Sequence, residues 1–196
     1  MERTYDITIG AMFVALMAIG ANITAVAPFL SVLGVPLTLQ TFVAILAGLI
    51  LGSRRGVFAM FVYMVIGLIG VPIFAGFKGG MGTFIDPTFG FILSFMGIAF
   101  VAGKIAENRR EFPMYVTASF AGLAVNYVIG VTWMYAALSL WVGEGAGISY
   151  TTAWASMIPF LVKDGALAFV AAVAATRLEG SFLKNTRLRQ KQASSL

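Results

Sequence analysis

Two adjacent charged residues, Lys163 and Asp164, lie within an apolar stretch in the C-terminal part of the chain. A charge at the centre of a membrane-spanning helix costs roughly 2.5–3.5 kcal/mol even on lenient insertion scales. Neighbouring residues on a helix point about 100° apart, so we expect at least one of the two to face a polar cavity. The alternative interpretation is a locally neutralised pair, with the lysine reaching towards the membrane surface.

Polar and aromatic residues in a second apolar stretch could serve the same cavity. Asn126 predicts a hydrogen-bonding partner, because an unpaired amide in hydrocarbon is costly. That partner is either a solute or a neighbouring helix. Tyr127, Trp133 and Tyr135 add hydroxyl groups and aromatic surface, although Trp133 and Tyr135 also fit an aromatic belt at the membrane interface.

Two loops carry further candidates. Residues 34–40 (GVPLTLQ) enter an apolar segment and include Gln40. Residues 79–82 (GGMG) precede Asp86, Pro87 and Thr88, a pattern typical of an N-cap followed by the first residue of a helix. Backbone N–H groups around Gly79 could bind a carboxylate, but a flexible linker would have the same composition.

Small residues form a stripe along the first apolar segment. Ala11, Ala15 and Ala18, followed by Asn22, recur at helical spacing. Small residues allow close helix approach in membranes, where apolar burial alone provides no drive. The stripe therefore predicts either packing inside the bundle or docking against another membrane protein.

The composition explains why these polar residues stand out. Of 196 residues, 60% are hydrophobic and 11% are charged, with a mean hydropathy of +0.93. A soluble domain carries roughly a quarter charged residues, so lipid is the expected solvent. Cysteine and histidine are absent, which excludes disulfides, thiolate or imidazole metal sites and the commonest general base. We expect no catalytic residues, no bound metal and no cofactor.

Six apolar segments predict an all-α integral membrane protein with one domain over 1–196. The expected spans are about 7–27, 37–51, 56–75, 87–106, 113–142 and 151–176, followed by a basic tail at 177–196. With six spans, 11 of the 13 Lys and Arg residues fall on one side: Arg3, Arg54, Arg55, Lys104, Arg109, Arg110, Arg177, Lys184, Arg187, Arg189 and Lys191. The positive-inside rule then places both termini in the cytoplasm. The net charge of +5 reflects this topology, and we expect no nucleic-acid partner.

Several blocks of the sequence together form a recognisable pattern. The first block is VPLTLQT at 35–41, continuing to GSRRG at 52–56. The second is GLIGVPIFAG at 67–76, followed by KGG at 78–80 and PTFGF at 87–91. With Tyr127, Gly130 and Trp133 in the fifth apolar segment, these blocks resemble the BioY family, the biotin-specific substrate-binding (S) components of energy-coupling factor (ECF) transporters. The resemblance covers nearly the whole chain.

The resemblance implies a multi-pass S component in the plasma membrane of a prokaryote. It would capture biotin near the outer side, under loops that include the link between the first two helices. It would not hydrolyse ATP. Small residues on its first helix, Ala11, Ala15 and Ala18, would dock onto a transmembrane coupling (T) protein that two ABC ATPase subunits drive.

Biotin has two polar ends, and the resemblance suggests partners for both. Asp164 would accept hydrogen bonds from the ureido N–H groups with Asn126, and Lys163 or Lys78 would meet the carboxylate. The last helix departs from the family pattern Pro-Gly-Asp-x-x-Lys, because Pro159 is followed by FLVKD. The residues expected to contact biotin are Gln40, Lys78, Gly79, Thr88, Asn126, Tyr127, Trp133, Lys163 and Asp164.

Two other interpretations stay open. The chain could be an S component for another vitamin; the absence of histidine argues against nickel or cobalt, which favour imidazole ligands. It could also be a membrane-embedded enzyme that uses Asp164 with Lys163. The sequence shows neither paired carboxylates within its apolar segments nor a Ser–Lys pair at helical spacing, which argues against an enzyme.

Overall fold

The computed structural model describes residues 2–26, 31–32, 35–141 and 148–180, and these form an α-helical bundle. The α-helices are α1 (Glu2–Ala21), α2 (Ile23–Val26), α3 (Gln40–Leu51), α4 (Ser53–Leu68), α5 (Phe89–Asn108), α6 (Phe112–Leu140), α7 (Tyr150–Ser156) and α8 (Ile158–Leu178). A 3-10 helix (Met81–Ile85) precedes α5, and the strands β1 (Ser31–Val32) and β2 (Val35–Pro36) pair antiparallel. The expected helical architecture is confirmed.

Two helices end or break where the sequence carries glycine and proline. α4 ends at Leu68 instead of continuing to about residue 75. Gly70 follows with a φ of 111°, and Pro72 has no N–H group to continue a helix. The last predicted span, 151–176, is two helices, α7 and α8, which meet at Met157. Pro159 lies in the first turn of α8, where its missing N–H group costs nothing.

Other helix bounds differ by a few residues. The first helix ends at Ala21, where the chain bends at Asn22 before α2; residue 27, the expected end of the first span, lies outside the described residues. α5 begins at Phe89 with Thr88 as its N-cap, so the prediction of Asp86 as N-cap and Pro87 as the first helical residue was wrong; the Asp86 carboxylate instead accepts a hydrogen bond from the Thr88 backbone N–H before the helix starts. The loop residues 142–147 and the tail beyond residue 180 also lie outside the described residues.

α5 is the central helix and packs against α3, α4 and α6. Glycines make its closest contacts possible. A methyl group on Gly48 of α3 would lie 2.7 Å from the Ala99 carbonyl oxygen, and one on Gly103 would overlap the Ser53 backbone nitrogen. Small residues therefore set the helix spacing, as is common in membrane bundles.

The outer surface of the bundle is apolar. Within the described residues, α5, α6 and α8 are long and apolar enough to cross a membrane, and α1 and α3 contain shorter apolar stretches. Large hydrophobic side chains such as Phe58, Phe120 and Phe169 are exposed. A surface of this kind marks a membrane contact, so the chain is a membrane protein.

Charged side chains cluster at one end of the bundle, where α3 meets α4 and α5 meets α6. Arg55 pairs with Asp6 at 3.4 Å, and Arg110 pairs with Glu179 at 3.8 Å. The Glu107 carboxylate accepts two 2.8 Å hydrogen bonds from the backbone N–H and the hydroxyl of Ser53. We call this region the ion-pair end. The opposite end, where α3, α5 and α8 begin, is the cavity end.

Candidate solute-binding site

A cavity of about 500 Å³ opens at the cavity end. The first turns of α3, α5 and α8, the second half of α6 and the loop after α4 enclose it. Its walls are formed by Thr38, Gln40, Thr41, Phe74, Ala75, Gly76, Lys78, Thr83, Asp86, Thr88, Phe89, Phe91, Ile92, Phe95, Asn126, Tyr127, Met134, Met157, Phe160, Lys163 and Asp164. The size and the mainly apolar lining, with a few converging polar groups, are typical of small-molecule sites.

Lys163 and Asp164 both line the cavity and also pair with each other. The Lys163 Nζ lies 2.7 Å from Asp164 Oδ1 and donates a 2.7 Å hydrogen bond to the Thr38 carbonyl. The long lysine side chain bends towards its neighbour, so the 100° between them on the helix does not separate the charges. The local ion pair and the polar cavity were alternatives in the sequence, and the structure contains both.

The Asp164 carboxylate is held from three elements. Its Oδ2 accepts hydrogen bonds from the Tyr127 hydroxyl at 2.9 Å and from the Thr41 hydroxyl at 3.3 Å. Its Oδ1 contacts Lys163 but, among the described residues, accepts no hydrogen bond. The side chain is only 7% exposed. Asp164 is therefore a fixed, buried acceptor with capacity for one more donor.

Asn126 extends this polar group across α6. The Ser94 hydroxyl lies 2.7 Å from the Phe91 carbonyl and 2.6 Å from Asn126 Oδ1. A hydroxyl has one hydrogen and can donate it fully to only one of these acceptors. The Asn126 Oδ1 has two lone pairs, so it can accept from Ser94 and from one further donor.

Gln40 lies at the base of a hydrogen-bonded chain. Its Nε2 donates to the Tyr63 hydroxyl at 2.9 Å, and that hydroxyl donates to the Ile73 carbonyl at 2.9 Å. Tyr63 is fully buried and meets the Phe74 ring edge-on at 5.5 Å between centroids. This row of hydrogen bonds fixes the Gln40 amide and connects α3 and α4 to the loop that covers the cavity.

A second ion pair borders the cavity. The Lys78 Nζ lies 2.6 Å from Asp86 Oδ2, and Asp86 Oδ1 accepts hydrogen bonds from the Thr88 backbone N–H and hydroxyl. Partial burial raises the pKa of Asp86, but the hydrogen bonds from Lys78 and Thr88 and the Lys78 charge together lower that pKa below its ordinary value. The lysine is more than half exposed, so this pair lies at the edge of the site.

The sequence of this chain is similar to that of known proteins. The model of the BioY family matches residues 1–184. This chain belongs to the BioY family. A Bacillus subtilis relative, named as a candidate biotin transporter (BioYB), is 45% identical over 98% of this chain and 96% of its own. The biotin transporter BioY of Rhodobacter capsulatus is 34% identical over 84% of this chain and 86% of its own.

The fold has a solved counterpart. The crystal structure of an S component for biotin from an ECF-type ABC transporter matches with a TM-score of 0.67 at 22% identity. The match covers 92% of this chain and 93% of the other chain. At this identity the likeness shows the fold, so the chain has the S-component fold of the BioY family.

Most of the BioY-like residues that the sequence singled out meet at the cavity. Gln40, Lys78, Thr88, Asn126, Tyr127, Lys163 and Asp164 line it, whereas Gly79 and Trp133 do not. Gly79 packs against its own loop, where an added methyl group would lie 2.5 Å from the Val71 carbonyl oxygen. Its missing side chain is needed for the turn.

Trp133 lies behind the cavity wall. Its Nε1 donates to the Asp86 carbonyl at 3.3 Å, and its ring packs against Phe84, Phe89 and Trp141. Trp141 Nε1 donates to the Ile85 carbonyl at 2.7 Å. The two indoles thus anchor the 3-10 helix and Asp86 at the edge of the site.

Sequence reasoning missed much of the lining. Thr41 follows Gln40 directly, and Asp86 appeared only as a helix cap, although both polar groups reach the cavity. Phe74 and Phe91 lie within blocks that resemble the BioY family but were not singled out, and Phe160 gave no signal, because aromatic residues are common throughout this chain. Thr41 could have been found from its position beside Gln40 in the 35–41 block.

The stripe of small residues on α1 is partly exposed. Ala11 and Ala15 are exposed and are each followed by an exposed large residue, Met12 and Leu16, whereas Ala18 is half-buried against the core. The first two alanines therefore lie on an open apolar face, and the third packs within the bundle.

Proposed function

We propose that this chain is the biotin-binding S component of an ECF-type vitamin uptake transporter. The observation that carries the proposal is the buried Asp164 beside Lys163 in a mainly apolar cavity of about 500 Å³. One relative named above is a biotin transporter, the other is named as a candidate biotin transporter, and the solved counterpart is an S component for biotin. These names support a transport role, and we include in the proposal that the chain is not an enzyme.

The ureido ring of biotin offers two N–H donors and one carbonyl acceptor. We assign one N–H to Asp164 Oδ1, which accepts no hydrogen bond from the described residues, and the other to the Asn126 amide. The thioether ring and the valerate chain then lie against Tyr127, Phe91 and Phe160. This arrangement pairs both N–H groups of the ring while its apolar part leaves water.

The carboxylate of biotin has two candidate partners. Lys163 donates one hydrogen bond to the Thr38 carbonyl and forms an ion pair with Asp164, so its ammonium group keeps N–H donors for a ligand. Lys78 is more exposed and already faces Asp86. Desolvation strengthens a charged hydrogen bond, and we therefore assign the carboxylate to Lys163 and an edge position to Lys78.

The topology of the proposed transporter has six spans, with α2 continuing the first and α7 with α8 forming the last. Both termini are cytoplasmic and the cavity end is outward, in the cell membrane of a prokaryote. The basic residues Arg55, Lys104 and Arg110 at the ion-pair end support this orientation. A T component driven by two ABC ATPase subunits would dock on the exposed Ala11–Ala15 face of α1.

Isothermal titration of the purified protein with a panel of vitamins tests the proposal. We expect biotin alone to bind tightly, and Asp164→Asn to weaken binding at least about tenfold through the lost charged hydrogen bonds. Glu111→Gln is the matched control, because Glu111 is an exposed carboxylate at the ion-pair end. Binding of another vitamin in place of biotin, or unchanged affinity in Asp164→Asn, would contradict the assignment.

A further inference from the structure

The turn that forms one wall of the cavity has an unfavourable backbone conformation. Gly76 and Phe77 follow each other in the left-handed region, with φ values of 73° and 56°. Glycine adopts this region freely, but a bulky aromatic residue rarely does. The Phe77 side chain is 60% exposed, so burial of its ring does little to offset the strain.

Asn22, at the end of α1, holds this turn in place. Its Oδ1 accepts a 2.8 Å hydrogen bond from the Phe77 backbone N–H, and its Nδ2 donates to the Ala18 carbonyl at 3.0 Å. The Phe74 N–H donates to the Lys78 carbonyl at 3.0 Å and closes the turn from the other side. The amide of Asn22 therefore joins the first helix to the strained residue itself.

The same amide belongs to the hydrogen-bonded chain that begins at the cavity. Asn22 Nδ2 lies 3.5 Å from the Ile73 carbonyl, which also accepts from Tyr63, and Tyr63 accepts from Gln40. Asn22 does not line the cavity. Asn22 can therefore affect a ligand only through the turn and through this row of hydrogen bonds.

We propose that Asn22 is a positioning residue for ligand retention: it clamps the strained Gly76–Phe77 turn so that the cavity wall and Lys78 stay in place. The inference rests on the proposed function for the identity of the ligand. Without the clamp, Phe77 relaxes out of the left-handed region, and the wall formed by Ala75 and Gly76 moves with it. A bound solute then escapes faster.

Dissociation of radiolabelled biotin from the purified protein tests the clamp. We expect Asn22→Ala to release biotin roughly fivefold faster, the factor that one lost hydrogen bond gives. Asn108→Ala is the matched control, because Asn108 is exposed at a helix end on the other side of the bundle. A variant that merely folds less well binds fewer molecules of biotin but releases each at the ordinary rate.

A rescue variant separates clamping from general packing. In Phe77→Gly the left-handed turn carries no steric penalty, so adding Asn22→Ala to it changes the release rate by less than about twofold. Asn22→Leu keeps the volume of the side chain but has no acceptor for the Phe77 N–H, so it should release biotin about as fast as Asn22→Ala does. It takes the place of Asn22→Ala if that variant does not fold.

Two results overturn the inference. If Asn22→Ala releases biotin at the wild-type rate, Asn22 is not a clamp. If Asn22→Ala has the same effect with and without the Phe77→Gly substitution, strain at Phe77 plays no part. Failure of the proposed function looks different, because the unaltered protein would then not retain biotin at all. The wild-type measurement therefore comes first.

Discussion

The two ends of the bundle contain the same kind of ion pair in different surroundings. At the cavity end, Lys163 and Asp164 lie within a helix and border a hollow of about 500 Å³. At the ion-pair end, Arg55 pairs with Asp6 where helices begin and end, close to the tight contact between Gly103 and Ser53. The first pair faces space for a solute, and the second closes the space between helices.

The comparison shows that charge in an apolar chain has two explanations, topology and ligand binding. Loop charges at helix ends satisfy the positive-inside rule and add small surface contributions to stability. A buried pair in a helix interior is costly to form and is retained for another reason, which we take to be the ligand. Removing charge at each end should therefore have different effects.

Lys163→Met gives the largest expected difference between the ends. The substitution keeps the length of the side chain but removes the charge that we assign to the biotin carboxylate. We expect biotin affinity to fall about 100-fold, and biotin amide to bind the variant nearly as well as the acid does. Competition binding with both ligands measures this selectivity.

The matched change at the ion-pair end is Arg110→Met. Arg110 pairs with Glu179 far from the cavity, so we expect biotin affinity to stay within about twofold of the wild type. Equal losses of affinity in the two variants would mean that the ends are not distinct. If Lys163→Met still prefers biotin over biotin amide as strongly as the wild type does, the partner of the biotin carboxylate is Lys78 and not Lys163.

Gly103→Ala tests packing at the ion-pair end and should have an intermediate effect. The added methyl group overlaps the Ser53 backbone, so α4 and α5 must separate, at a cost of about 1–3 kcal/mol in the free energy of unfolding. We expect folded molecules to bind biotin with wild-type affinity. Thermal unfolding in detergent, with titration of the folded fraction, measures both quantities.

Gly10→Ala is the control for that change. Gly10 also lies in a helix, but a methyl group there has nothing within 4 Å. Alanine favours the helix by roughly 0.5–1 kcal/mol over glycine, so stability should stay equal or rise slightly. A loss of stability in Gly10→Ala as large as that in Gly103→Ala would contradict the packing explanation.

The same contrast explains what could be predicted from the sequence. Lys163, Asp164 and Asn126 were recognisable because lipid penalises such groups, which makes each one stand out. The helices were recognisable from long apolar runs, but their ends were not, since Gly70 and Pro72 look equally compatible with a bent helix and a broken one. Local sequence signals therefore identified residues that line the cavity more accurately than they identified the helix bounds.

Contacts between helices could not be predicted in this way. The hydrogen bonds from Tyr127 and Thr41 to Asp164 depend on how three helices rotate against each other. Trp133 looked like a binding residue, but its ring faces the 3-10 helix. The Gly79 pattern fitted an anion site and a flexible linker equally well, and only the position of Val71 reveals a tight turn.

The edge pair, Lys78 and Asp86, should show the smallest effect, as a dependence on pH. The pKa of Asp86 is lowered in the fold, so the ionised carboxylate stabilises the closed edge above the ordinary value of 3.8. This contribution is lost as the pH falls through the lowered pKa, and partial exposure limits it to less than about 1 kcal/mol.

Tryptophan fluorescence of the ligand-free protein from about pH 6 down to about pH 3 follows this loss, because Trp133 and Trp141 both donate hydrogen bonds to the segment that ends at Asp86. We expect a small transition at the acid end that shrinks in about 1 M salt, where the Lys78 charge is screened. Asp86→Asn keeps an acceptor for Thr88 but cannot ionise, so it should lack the transition. If Asp86→Asn shows the same transition, the transition comes from another carboxylate. The pair of Lys78 and Asp86 would then make no contribution to holding this edge of the cavity closed.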